Sequence, residues 1–186
     1  MNYPGSIKKE YVKLNTTHAN RGMDLENLIN LSNKYYLEID RAIIYKKPTP
    51  IKIVDATFTN KGREITKAFF EAPSTLDYNG LYKGRYIDFD AKETQEKTRF
   101  PLQNIHEHQL VHMRNILNHG GITFLLISMN NNVYYLDGND IINFIDTNKR
   151  KSIPFEYIEK HGYIVNKKIK PRLDYLEIVD NLYFKE

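Results

Sequence analysis

The segment Arg85-Tyr86-Ile87-Asp88-Phe89-Asp90-Ala91-Lys92 constrains this chain more than any other. Its bulky and aliphatic residues suit a pleated strand, in which successive side chains point to opposite faces. That alternation sends Ile87, Phe89 and Ala91 to one face and Asp88, Asp90 and Lys92 to the other. Two acids and a lysine side by side are costly to hold together, and their charges suit one chemistry. Carboxylates hold a divalent cation against a phosphate, and the ammonium group faces the charge that builds up as a phosphodiester breaks.

The rest of the composition fits that chemistry. With 186 residues the chain makes one domain with its own core, read here as residues 20–186 behind a flexible basic arm over residues 1–19. There is no cysteine, so thiolate sites and disulfides are excluded and the candidate metal ligands are oxygen and imidazole. This leans toward magnesium rather than zinc. A net charge of +4 fits a partner that carries phosphates. No apolar run approaches the roughly 20 residues of a membrane span, and the N-terminus lacks a signal-peptide hydrophobic region. The expectation is a cytoplasmic protein with no membrane partner.

Along the chain, a helix is expected from Asn20, whose side chain can cap it, with Leu25, Leu28, Ile29 and Tyr36 at helical spacing. Short strands are expected over Ala42 to Tyr45 and Ile51 to Val54, separated by Lys46-Lys47-Pro48-Thr49-Pro50. Residues 55–70 read as a hairpin turning at Asn60-Lys61-Gly62, with Lys61, Arg63 and Lys67 near its tip and Phe69 and Phe70 in one arm. Such a hairpin can probe exposed bases, which stack on aromatic faces while cations meet phosphates; alternatively its phenylalanines join the core. A helix is expected over Gln103 to Asn118, with an inward stripe of Ile105, Gln109, Met113 and Ile116. Ile122 to Ser128 reads as a buried strand next to Val133 to Leu136, and three helical stretches follow, Asp140 to Asp146, Pro154 to His161 and Asp174 to Tyr183.

Asp77 and Asp90 are the candidate metal ligands and catalytic acids, and Lys92 is the candidate group that orients water or neutralises the transition state. Thr75 faces the same way as Asp77 if that stretch is extended, and the amide oxygen of Gln109, the polar residue of an inward stripe, can complete the shell. Taken alone, Asp77-Tyr78-Asn79-Gly80 is a good turn sequence. Asp88 is expected to pair with Arg85. Glu26, on the first helix, is either a third acid or an exposed helix residue. His108 and His112 stand four apart, as zinc ligands can, but without the intervening glutamate of a metalloprotease; with His106 they are expected to face solvent or DNA.

An Asp followed at a distance by Asp-x-Lys on a strand, behind a helix bearing glutamate, resembles the core of the restriction-endonuclease-like nucleases. The wider sequence is more specific. Asn20-Arg21-Gly22-Met23, Asn33-Lys34-Tyr35-Tyr36, Lys46-Lys47-Pro48-Thr49-Pro50, Tyr82-Lys83-Gly84-Arg85-Tyr86-Ile87-Asp88-Phe89, Ala91-Lys92-Glu93-Thr94, Phe100-Pro101-Leu102-Gln103-Asn104 and Pro171-Arg172-Leu173-Asp174-Tyr175 resemble the RecU family of Holliday junction resolvases. The resemblance implies an α/β fold with a central mixed sheet flanked by helices and a protruding hairpin stalk. It implies a homodimeric endonuclease using Mg²⁺ (or Mn²⁺), which makes paired nicks in four-way DNA junctions during recombination and repair and influences the strand-exchange recombinase. Thr75, Asp77, Asp90 and Gln109 fall on the family's metal positions and Lys92 on its transition-state stabiliser. Arg21, Lys61, Arg63, Lys67, Phe70 and Arg85 are the implied DNA contacts. Two departures stand out: Asp90 where the family usually has glutamate, and Leu76 where the superfamily motif has proline. The alternatives are a nuclease acting on ordinary duplex or branched DNA, and a junction-binding or strand-annealing module without catalysis.

Overall fold

The computed structural model describes residues 19–71 and 75–185, with side chains for 25–71 and 75–185. The arm expected over 1–19 lies outside the described residues, apart from Ala19. The first helix, α1 (Ala19–Glu38), starts one residue before Asn20, which therefore sits inside the helix rather than capping it. Alanine is the best helix former and carries the helix upstream. The stripe of Leu25, Ile29 and Tyr36 is buried as its spacing predicts, with Leu28 packed beside it.

Then come β1 (Ile43–Lys46), β2 (Ile51–Thr59), β3 (Gly62–Phe70), β4 (Tyr78–Tyr82), β5 (Arg85–Glu93) and β6 (Arg99–Pro101). A 3₁₀ turn, Leu102–Asn104, leads into α2 (Glu107–Asn118), followed by β7 (Ile122–Met129), β8 (Asn132–Asp137), α3 (Gly138–Thr147), β9 (Ser152–Pro154), α4 (Phe155–His161), β10 (Tyr163–Ile164) and α5 (Tyr175–Tyr183). Six strands form the central sheet in the order β1-β4-β5-β7-β8-β10. The β5–β7 pair is parallel and the other pairs are antiparallel, so the sheet is mixed. Parallel neighbours need a crossover connection, and α2 lies in it. Helices flank this sheet and a hairpin projects from it, the architecture that the sequence implied. Among the described residues no helix is long and apolar enough to cross a membrane.

One face of β5 locks the sheet together. Phe89 stacks on Tyr78 of β4 at 4.9 Å and on Phe124 of β7 at 4.5 Å, and Phe124 stacks on Tyr135 of β8 at 4.3 Å. Such cross-strand aromatic contacts favour one register, and a one-residue slip would send every side chain to the wrong face. The same core takes in α1 and α5. The Asn33-Lys34-Tyr35-Tyr36 motif serves this packing: Tyr36 donates to the Leu173 carbonyl and Asp174, and Asn33 accepts from Tyr175. A second apolar cluster, with Met113, Leu125, Ile127, Phe144 and Ile158, fills the opposite side of the sheet.

Several local expectations are corrected. The strand at Ile51 and the hairpin expected from residue 55 are one element: β2 pairs with β3 from Ile51↔Phe70 to Thr59↔Gly62, with an irregularity at Asp55. Nothing after Val54 breaks the strand, whereas Pro50 limits its start. Every residue of the two arms is exposed except half-buried Ala56, so Phe69 and Phe70 do not join the core. The stretch from Asp77 to Gly80 is not a turn, because pairing of β4 on both sides overrides its turn propensity. The helix expected from Gln103 divides into the 3₁₀ turn and α2, since His106 is extended and starts α2 in a capping box with Gln109. The short strands β6, β9 and β10 have no clear periodicity in the sequence.

Gly80 marks where β4 and β1 approach most closely. A Cβ there would lie 2.0 Å from the Ile43 carbonyl oxygen and 2.7 Å from the Ile44 Cα, both backbone atoms that cannot swing aside. Gly80→Ala is therefore expected to destabilise the fold by roughly 1–3 kcal/mol. Urea unfolding of the variant against wild type checks this.

Candidate active site

The polar face of β5 is buried. Asp88 and Asp90 are both 0 % exposed, and the Lys92 side chain is 17 % exposed. A buried carboxylate is tolerated only with hydrogen-bonded or cationic partners. Asp90 has them. Its Oδ1 accepts from the Ala91 backbone N–H at 2.9 Å, and its Oδ2 accepts from the Gln109 amide nitrogen at 2.7 Å and lies 2.8 Å from Lys92 Nζ. Gln109 reaches the site because it is buried on the inward face of α2, as its stripe predicted. Its amide oxygen accepts from the His106 backbone N–H at 3.1 Å and from Lys92 Nζ at 3.4 Å. In this arrangement the nitrogen of Gln109, not its oxygen, faces the acid.

Asp77 approaches from the neighbouring strand. The register Tyr78↔Phe89 sets the residue before β4 across from Asp90, and the two carboxyls share a hydrogen bond. Burial first, and then the hydrogen bond to Asp90 and the charge of Asp90, push the Asp77 carboxyl up to about 7, against smaller opposing pulls from Lys92 and Lys46. Two carboxylates meeting in a half-buried site cannot both ionise readily without a cation between or beside them. Asp77 also lines a cavity of about 380 Å³ with Glu26, Lys46, Lys47 and Thr75. The Thr75 hydroxyl donates to the Leu76 carbonyl at 3.3 Å, and Leu76 is buried. Glu26 lines this cavity but is ion-paired to Lys46.

Asp88 is not the partner of Arg85. The two are three apart on a strand and so point to opposite faces. Asp88 Oδ2 accepts from Lys47 Nζ at 2.7 Å and the Tyr86 hydroxyl at 2.7 Å, and lies 3.1 Å from His112 Nε2. Arg85 instead donates to the carbonyls of Gly120 and Gly121 beyond the end of α2 and lies over the Tyr183 ring at 4.8 Å. His112 therefore turns inward rather than toward solvent. A signal was available, since it follows Gln109 by three residues on one helix face. Lys47 carried no periodic signal, and both residues were missed. Rings His106 and His108 stack on each other at 5.4 Å, and among the described residues no three His, Asp or Glu side chains converge as a metal-binding group.

Among the described side chains, none of the residues expected to meet DNA lines this pocket. Lys61, Arg63, Lys67 and Phe70 are exposed on the projecting hairpin, as is Phe58 at 87 %. Arg21 is on α1, and its side chain lies outside the described ones.

Residues 20–181 match the model of a family described as Recombination protein U, RecU. The chain belongs to the RecU family. Among its relatives, the Holliday junction resolvase RecU of Geobacillus sp. (strain WCH70) is 44 % identical, covering 98 % of this chain and 97 % of the relative. The Holliday junction resolvase RecU of Bacillus subtilis (strain 168) is 46 % identical, covering 90 % and 84 %. Among solved structures, that of Archaeoglobus fulgidus Hjc, a Holliday junction resolvase, covers 76 % of this chain and 94 % of its own with a TM-score of 0.44 and 7 % identity. In this RecU-family chain the acid on β5 is an aspartate, Asp90, which Gln109 holds from α2.

The raised Asp77 carboxyl gives a signed pH dependence. The folded metal-free protein holds this proton more tightly than the unfolded chain, whose aspartate ionises near 3.8. The stabilisation is full below that value and is lost as pH rises toward about 7. Denaturant unfolding between these limits should show wild type losing stability relative to Asp77→Asn, and carboxyl NMR should show Asp77 titrating lower in Asp90→Asn.

Proposed function

We infer that this protein is a Holliday junction resolvase, a divalent-metal-dependent endonuclease that hydrolyses phosphodiesters in four-way DNA junctions during recombination and repair. The observation that carries the reading is the meeting of Asp77 and Asp90 beside Lys92 in a chain of the RecU family. Binding alone gives no reason to turn two acids toward a phosphate, so the arrangement favours a nuclease over a junction-binding module.

The donor set fits Mg²⁺, with Mn²⁺ as a substitute. Mg²⁺ is usually held by one or two carboxylates and keeps several waters, whereas zinc sites need three or four protein ligands. Asp77 and Asp90 would hold the ion, with Thr75 and, after rotation of its amide, Gln109 supplying neutral oxygens. The ion, when bound, activates water and offsets charge on the phosphoryl oxygens. The chain's own residues do the rest. Lys92 presents an ammonium where negative charge grows as water adds to phosphorus and the ester P–O bond breaks. In the orientation its amide takes without the ion, Gln109 bridges Asp90 and Lys92 and keeps both in place. Lys61, Arg63 and Lys67 on the hairpin meet the phosphates of the junction, and Phe70 meets exposed bases.

A homodimer follows from the chemistry: two symmetric nicks need two sites, and a two-fold assembly mirrors the junction. The protein works in the cytoplasm, where the strand-exchange recombinase that makes such junctions is its natural associate.

With Mg²⁺ and a labelled synthetic four-way junction, the protein should nick opposing strands and leave linear duplex largely intact. Asp77→Ala or Lys92→Ala should lower cleavage by about 100-fold or more while junction binding in gel shifts persists. Glu26→Gln, whose charge Lys46 already offsets, should lose much less. Normal cutting by both Asp77→Ala and Lys92→Ala overturns the site, and tight junction binding with no metal-dependent product overturns the nuclease.

A further inference from the structure

The hairpin joins the catalytic region at both ends. One end leaves β1 through Lys46-Lys47-Pro48-Thr49-Pro50, and the other stops at Glu71, with Thr75, Leu76 and Asp77 four to six residues further along the chain. Main-chain bonds tie the two roots: the Glu71 N–H donates to the Pro50 carbonyl at 3.0 Å, and the Lys47 N–H donates to the Asp77 carbonyl at 2.7 Å. The Lys47 side chain then crosses to the catalytic strand, where Nζ donates to Asp88 Oδ2 at 2.7 Å. Asp88 is 0 % exposed, and the same oxygen takes Tyr86 from β5 and His112 from α2. Its other oxygen is buried without a hydrogen-bond partner. The hydrolysis derived above uses none of these groups, yet they join the hairpin root, the catalytic strand and the helix that carries Gln109.

We propose that Lys47 and Asp88 are positioning residues that fix the tilt of the hairpin against the catalytic face and thereby select which phosphate is cut. This rests on the junction-cutting reading above. The hairpin arms pair only with each other in the sheet pattern and are exposed along their length, so their direction is set at the root. Nine residues of strand in each arm reach about 30 Å at about 3.3 Å per residue. A tilt of about 10° at the root would then move the tip by about 5 Å, more than the ~3.4 Å axial rise per nucleotide of a strand. A buried ion pair is a poor source of net stability but a good device for holding one arrangement. Lys47 holds the root to Asp88 by charge as well as to Asp77 by its backbone.

The test is Lys47→Met, with Lys47→Arg as the conservative rescue and Lys47→Gln carrying the test if circular dichroism shows Lys47→Met unfolded. Cut positions on a labelled immobile junction are mapped at single-nucleotide resolution with Mg²⁺, together with single-turnover rate and junction affinity. The chain has no cysteine, so Glu64→Cys on the hairpin and Asn115→Cys on α2 take spin labels that report the distance between them. The expected result is unchanged junction affinity, a rate lowered about tenfold or more, nicks spread onto neighbouring phosphates and a broadened label distance, with Lys47→Arg restoring all of these. Wild-type rate and cut positions in a folded Lys47→Met overturn the proposal, as does a broadened distance with nicks still at the wild-type phosphates. Failure of wild type to nick at defined positions defeats the junction-cutting reading instead, which separates the two failures.

Discussion

The register of β5 between its two neighbours is the constraint on which the site depends. Phe89 is held between Tyr78 and Phe124 by ring stacking, and the strand's alternation then forces Asp88 and Asp90 to the opposite face. The same register brings Asp77 across from Asp90. An error of one residue in either pairing would bury the aromatics among charges and expose the acids to the apolar core. The apolar ladder thus aligns the polar chemistry on the far side of the same strand.

Burying that polar face creates a demand for counter-groups, which the surrounding elements meet from three directions. Lys92 comes from β5 itself, Gln109 and His112 from successive turns of α2, and Lys47 from the root of the hairpin. Asp90 is satisfied on both oxygens, whereas Asp77 keeps its proton up to about pH 7, first because it is buried and then because it meets another acid with less compensation. An arrangement left short of positive charge in this way is suited to receive a cation. The hairpin is a long insertion between β1 and β4, two strands that pair directly, so whatever it grips is referred to the Asp77 end of the site.

The alternation of Arg85 to Lys92 and the stripe of α2 made their elements legible through a strong period, and the unbroken apolar run of β7 did so through burial on both faces. Asp90, Lys92 and Gln109 were legible for the same reason: a polar residue at a known phase of a strand or helix has a known direction. Phe69 and Phe70 were ambiguous, since an exposed hairpin and a half-buried one share the same local pattern. Asp88 was misassigned by proximity in sequence, when the period of two already denied it Arg85.

The sequence by itself determined which residues stand on which face of β5 and α2, because those directions follow from backbone geometry alone. Family membership was also legible in it, through motifs spread over most of the chain. Tertiary structure decided the rest. Strand order put Asp77 beside Asp90, the packing of α2 turned His112 onto Asp88, and the fold of the Lys47 loop brought an ammonium to a buried acid 41 residues away in the chain. Such contacts join segments whose separation carries no period, so only the three-dimensional pairing of strands and helices can specify them.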